Sequence, residues 1–145
     1  MDNFLIERVE KVDPELLIAV NRLLPQLTNA PIPDREDMQK LLDSASVLIV
    51  ARTLSPEGLI VGAGTLGVFR TPSGLHAHVE DVIVDENWRG QGIGEALVNH
   101  LLQIAQQMGL KGVSLTCNSR RVAANHLYQK MGFNQWDTNT YWYEL

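Results

Sequence analysis

The chain has 145 residues, 45% of them apolar and 20% charged, with a formal net charge of −5. That is the length of about one domain of ~100–200 residues; it is enough to bury a sizeable core without a covalent staple, and residues 1–145 are expected to form a single domain. The acidic balance excludes DNA or RNA as the main partner, because holding phosphate by bulk charge needs clustered Lys and Arg.

Residues 4–12 alternate loosely (Phe4, Ile6, Val9) and predict a first strand. A helix is expected over 14–24, with Asp13 as N-cap, Pro14 in the first turn and Leu16, Leu17, Val20, Leu23 and Leu24 at helical spacing. Pro25, Pro31 and Pro33 make 25–34 a loop, and Asp34 opens a second helix over 35–44. Three strands follow, at 46–53, 59–69 and 76–84, joined by turns short enough for an antiparallel meander. The glycines of the second of these suggest a bend or bulge. The period then changes: Ile93, Leu97, Leu101, Ala105 and Met108 predict an amphipathic helix closed by Gly109. A strand at 112–116 completes a β-α-β unit and so implies a parallel pair. A fourth helix is expected over 121–131, stopped by Gly132, and an aromatic strand over 138–144. In that strand Tyr141, Trp142 and Tyr143 are expected to pack on two faces of the sheet. The sum is an α+β fold with about seven strands and four helices.

The most informative stretch is 82–97, VIVDENWRGQGIGEAL, in which a strand runs through Arg89-Gly90-Gln91-Gly92-Ile93-Gly94 into a helix. Glycines let the backbone turn tightly and approach a ligand closely. The helix N-terminus adds free N–H groups and about half a positive charge. Together they make an anion cradle, to which Arg89 can add a charge-assisted bond. A P-loop is excluded, for no Gly-Lys-Ser/Thr is present. A dinucleotide fingerprint counted from Gly90 would need its third glycine at Glu95.

The pattern R-x-x-G-x-G, with Arg89, Gly92 and Gly94, resembles the first motif of the GNAT superfamily of acyl-CoA N-acyltransferases. Asn125, Tyr128 and Gly132-Phe133, within ANHLYQKMGF, resemble its second, and the two together span 79–133. The chain is similar to the small, single-domain, bacterial-type members of that superfamily. One departure is Glu86, where many members carry proline.

The resemblance implies a mixed, mostly antiparallel seven-stranded sheet splayed between its fourth and fifth strands. It implies acetyl-CoA as co-substrate and no metal. The pyrophosphate would lie on the N–H groups of Arg89, Gly90, Gln91, Gly92, Ile93 and Gly94, with Glu95 closing the cofactor-binding set. The pantetheine arm would pair with the backbone of Val82, Ile83 and Val84 like an added strand. Asn125 would hold the arm, and Asn118 could also touch it or cap the helix. A protonated amine cannot attack a thioester, so a base is needed, and the departing thiolate benefits from an acid. Tyr128 matches the family's acid position, against the alternative of a half-buried packing tyrosine. Glu80 is the candidate base, sharing a face with His76, His78, Val82 and Val84 in regular alternation; the alternative is a structural or substrate-binding carboxylate.

His76, His78 and Glu80 could chelate a metal, but no fourth ligand is evident. Cys117, the single cysteine, excludes an internal disulfide and a cysteine-based zinc cage, and it reads as a quiet residue at a strand end. No basic-then-apolar leader stands in residues 1–10 and no apolar run reaches about 18 residues, so a cytoplasmic protein without a membrane span is expected. The acceptor would be a small-molecule or peptide amine bound near 24–34, 69–78 and 134–141, which carry few basic residues. The enzyme would act as a monomer or homodimer. A non-catalytic acyl-CoA-binding or regulatory module is the competing reading.

Overall fold

One antiparallel sheet dominates the fold. In the computed structural model, which describes residues 3–145, strands β1 (Phe4–Arg8), β2 (Val47–Thr53), β3 (Ile60–Thr71) and β4 (Gly74–Val84) form one antiparallel sheet in sequence order. The helices are α1 (Pro14–Leu23), α2 (Arg35–Asp43), α3 (Ile93–Gln107) and α4 (Val122–Lys130). The chain divides into two compact units, Met1–Leu115 and Thr116–Leu145. Among the described residues, no helix is long and apolar enough to cross a membrane.

The helix starts follow from local chemistry. Asp13 Oδ1 accepts from Leu16 N at 2.8 Å, with Pro14 in the first turn of α1. Asp34 and Asp37 form a reciprocal capping box on α2. Each such cap satisfies donors that a helix otherwise leaves orphaned, worth about 1 kcal/mol.

The first unit has three layers. On one face of the sheet, Leu16, Ala19, Leu23 and Met38 from α1 and α2 pack against Leu48, Val50, Ala63 and Ile83. On the other, α3 lies unusually close. A Cβ on Gly62 would stand 3.0 Å from Ile83 O and 3.2 Å from Ile93 Cγ2 and Leu97 Cδ1; one on Gly64 would stand 3.3 Å from Leu101 Cδ1. These glycines therefore serve the seating of α3, and the bulge expected of them is also present, for β3 shifts register against β2 beside Gly62 and against β4 at Gly64. Leu97 and Leu101 are fully buried, each contributing on the order of 1.5–3 kcal/mol by leaving water.

A β-bulge interrupts β4. Thr65 pairs with Glu80 and Ala63 with Ile83, so Asp81 and Val82 together oppose Gly64. Asp81 adopts φ +48°. The extra residue resets the alternation. Glu80 and Ile83 fall on the α1/α2 face beside Thr65 and Ala63, and Val84 falls on the α3 face beside Gly62. Val82 also faces α3, within reach of Gly64. The expectation of one unbroken face from His76 to Val84 is thus corrected: His76, His78 and Glu80 keep it, while Val82 and Val84 leave it.

Of the six strands placed by residue range, those at 112–116 and 138–144 are absent from the described residues, so the sheet has four strands where about seven were expected. In residues 112–116, Ser114 alone pairs, in a parallel bridge to His78. Val79 N donates to Ser114 O at 2.8 Å, and Ser114 N to Ala77 O at 3.2 Å. The direction is as expected, but the pairing stops there, so β4 runs on through 80–84 without it. The expected splay between a fourth and a fifth strand therefore has no fifth strand among the described residues. Residues 138–144 form no strand. Tyr141, Trp142 and Tyr143 are exposed rather than packed. Their unit holds no strand for them to pair with, and aromatic β-propensity without a neighbour does not hold an extended ladder.

Candidate functional site

The end of β4 is anchored before the glycine turn begins. Asp85 N donates to Val61 O at 2.8 Å, and Asp85 Oδ1 accepts from Asn87 N, capping the short 3₁₀ turn Glu86–Trp88. The buried Asp85 carboxylate lies 3.2 Å from Arg22 Nε of α1. Arg22 also donates to Ile60 O, and Gln26 Oε1 accepts from Glu86 N at 2.9 Å. The turn is therefore tied to α1 as well as to the sheet. Sequence reasoning missed Arg22, Gln26 and Asp85, for the Arg22–Asp85 and Gln26–Glu86 contacts join residues some sixty apart and leave no local pattern.

Beyond this anchor the backbone takes φ +77° at Gly90 and φ +84° at Gly92, the N-cap of α3. A Cβ at either would meet nothing within 4 Å. The requirement for glycine here is conformational, since L side chains are disfavoured in that region by about 1–2 kcal/mol. The first-turn amides of α3 have no intrahelical acceptors and lie at the positive end of a 15-residue helix. Gly94 is helical, with Val84 Cγ2 3.7 Å from where its Cβ would be. Arg89 Nε donates to Val84 O at 3.0 Å, holding its guanidinium beside the turn. Gln91 and Ile93 complete the loop, Ile93 buried in the core, and Glu95 stands in the first helical turn.

On the α1/α2 face of β4 the pairs Phe69–His76, Gly67–His78 and Thr65–Glu80 succeed one another. Phe69 stacks on both imidazoles, with centroids 5.4 and 5.3 Å away. His76 Nε2 bonds to Thr71 and Ser73 hydroxyls at 2.8 Å, and His78 Nδ1 bonds to Ser114 Oγ. Among the described residues no group of three or more His, Cys, Asp or Glu is arranged to hold a metal. Glu80 is exposed. Past it, a cavity of about 210 Å³ opens between the sheet and the first two helices, lined among others by Val20, Leu23, Met38, Leu41, Asp81 and Ile83.

The second unit carries the other candidates. Asn125 Nδ2 donates to Asn118 O at 3.0 Å and to Arg121 O at 2.9 Å. Asn118 Oδ1 accepts from Arg120 N. Asn118 thus closes the turn before α4 rather than capping the helix, and Asn125 staples that turn to it. Tyr128 is half-buried, edge-on to Phe133 with centroids 5.8 Å apart. Burial first, and the neighbouring Cys117 second, push its phenol above the ordinary value of 10.0, against a smaller opposing pull from Arg121. A tyrosine so placed stays protonated at neutral pH.

A family model described as the acetyltransferase (GNAT) family matches residues 18–133. A probable glucosamine 6-phosphate N-acetyltransferase 2 of Oryza sativa subsp. japonica is 33% identical over 136 residues, covering 88% of this chain and 80% of its own. A glucosamine 6-phosphate N-acetyltransferase of Trypanosoma brucei brucei is 31% identical over 117 residues, covering 77% and 78%. Among solved structures, an aminoglycoside acetyltransferase from an uncultured soil metagenomic sample, in complex with trehalose, superposes with a TM-score of 0.84 at 28% identity over 99% of this chain and 97% of that one.

Proposed function

The chain belongs to the GNAT acetyltransferase family and is an acetyl-CoA-dependent N-acyltransferase, and from that premise we propose that it moves the acetyl group directly to the primary amine of a small-molecule or peptide acceptor, residues 1–145 acting as one domain. The observation that carries this reading is the pair of left-handed glycines feeding the N-terminus of α3 beside a bulged β4.

Each residue's part follows from its chemistry. The amides of Gly90 to Gly94 and Glu95, with the Arg89 guanidinium, take the pyrophosphate of the co-substrate. The Val82–Ile83–Val84 backbone pairs with its pantetheine arm, and Asn118 and Asn125 are the side chains assigned to hold that arm. Glu80 takes the proton of the acceptor ammonium, freeing the nitrogen lone pair. The N–C bond forms as the C–S bond breaks, Tyr128 gives its proton to the departing sulfur, and the nitrogen releases its second proton to solvent, from which the phenolate is reprotonated. A phenol held above its usual pKa by burial is in the protonated form this step requires. A β4 amide at the bulge is suited to the charge that develops on the carbonyl oxygen.

The test is twofold. Acetyl-CoA in large excess should raise the melting temperature, and acetyl-CoA with an amine panel should release free thiol. No shift would remove the acyl-CoA site altogether; a shift without thiol release for any amine would leave a binding module rather than an enzyme.

A further inference from the structure

We propose that the acceptor is a primary amine carried on an apolar arm, seated in the cavity between β4 and the first two helices, with its ammonium held by Asp81. This rests on the acetyltransferase reading above and narrows it to a substrate class.

The cavity lies on the face to which the bulge turns the chain. In regular alternation Asp81 would project toward α3, opposite Glu80. With Asp81 and Val82 both opposing Gly64, Asp81 instead joins Thr65, Ala63 and Ile83 along the cavity wall. Most of that wall is aliphatic. Its polar members are Asp37, Thr65 and Asp81, and none of the lining residues is Lys, Arg or His. Asp37 is already engaged, with Oδ2 accepting from Asp34 N at 3.0 Å in the capping box. Asp81 is the carboxylate left to meet a ligand.

Such a wall selects by what it cannot satisfy. A phosphate taken into it would lose its water and gain no cation, which costs several kcal/mol. A polyhydroxylated ring would leave hydroxyls unpaired against Leu23, Met38 and Leu41, and sites discriminate strongly on unpaired polar groups. An alkyl or arylalkyl arm gains by burial, and its ammonium finds one carboxylate. The two relatives described above are named for glucosamine 6-phosphate; this cavity supplies no partner for that phosphate.

The experiment compares 2-phenylethylamine, glucosamine 6-phosphate and sisomicin as acceptors by thiol release, with acetyl-CoA binding followed separately by thermal shift. The expected result is a kcat/KM for 2-phenylethylamine at least 100-fold above the other two. Asp81→Asn, which keeps the side-chain shape and tolerates the left-handed backbone, should lower kcat/KM for 2-phenylethylamine at least tenfold, chiefly through KM, and leave the acetyl-CoA shift unchanged. Val20→Phe, which narrows the cavity, should reject 2-phenylethylamine while still accepting ethylamine. Preference for glucosamine 6-phosphate or sisomicin, or an unaltered KM in Asp81→Asn, would overturn the substrate class while the acetyltransferase reading stands. No turnover with any amine, the acetyl-CoA shift persisting, would overturn both.

Discussion

Two glycines two residues apart in the turn do different work. Gly92 is needed for its φ of +84°, whereas Gly94 sits in ordinary helical geometry with room for a methyl group. Gly92→Ala should therefore cost about 1–2 kcal/mol of stability, read as a lower urea midpoint. Gly94→Ala should leave stability unchanged or raise it by up to ~1 kcal/mol, yet weaken the thermal shift by acetyl-CoA, because the methyl stands where the ligand must approach the amides. Equal loss of stability in both variants would contradict this division. Tyr128 gives a second residue-level expectation. An acid works only while protonated, and burial raises this phenol above 10.0. Turnover should thus hold through neutral pH and fall only as pH rises past that raised value. Tyr128→Phe should lower kcat at least tenfold with little change in acetyl-CoA affinity, and should lose the alkaline limb; an unaltered rate would take the acid role from Tyr128.

At the scale of elements, the anchor between α1 and the end of β4 decides how firmly the turn is held. Asp85→Ala removes one partner of the Arg22 pair and the cap on Asn87 N. It should cost about 1.5–3 kcal/mol, and the KM for acetyl-CoA should rise more than kcat falls. A variant with unchanged stability and KM would show that the turn is held without it. Elements of this molecule were legible in the sequence where their cause is local. Asp13 and Asp34 announce α1 and α2 because a cap and its helix are neighbours, and the 3.6-residue stripe from Ile93 to Leu101 announces α3. The Gly90–Gly94 turn was legible for the same reason. What depends on distant partners was not. The aromatic run at 141–143 has β-propensity but no strand to pair with in its unit, and 112–116 pairs only at Ser114. Gly62 and Gly64 read as a bend or bulge, and the bulges are there, but the helix seated against them, about thirty residues on, leaves no mark on their neighbours. The bulge at Asp81 is invisible to a count of alternating residues, since it changes the count itself. That is why Glu80 was singled out and the cavity-facing Asp81 was not.

Across the whole molecule, the net charge of −5 is to be set beside the polyanion site proposed at the glycine turn. On that proposal, local amides and one guanidinium do what bulk charge does in nucleic-acid-binding proteins. Screening then weakens the attraction at the turn and the repulsion from the acidic surface together. The KM for acetyl-CoA should accordingly change less than about threefold between 50 and 300 mM NaCl; a tenfold rise would point to a diffuse basic surface instead. The bulged strand has a consequence of another kind. The one extra residue fixes a parity: everything after position 81 faces as it does because an odd step was inserted there. Remove one residue, and Ile83 turns out of the α1/α2 core while Val84 turns into it, carrying the glycine turn and α3 with them. If Asp81 holds the amine as proposed, exchanging its side chain changes the acceptor and leaves the fold in place, whereas lengthening or shortening the strand by one residue undoes both.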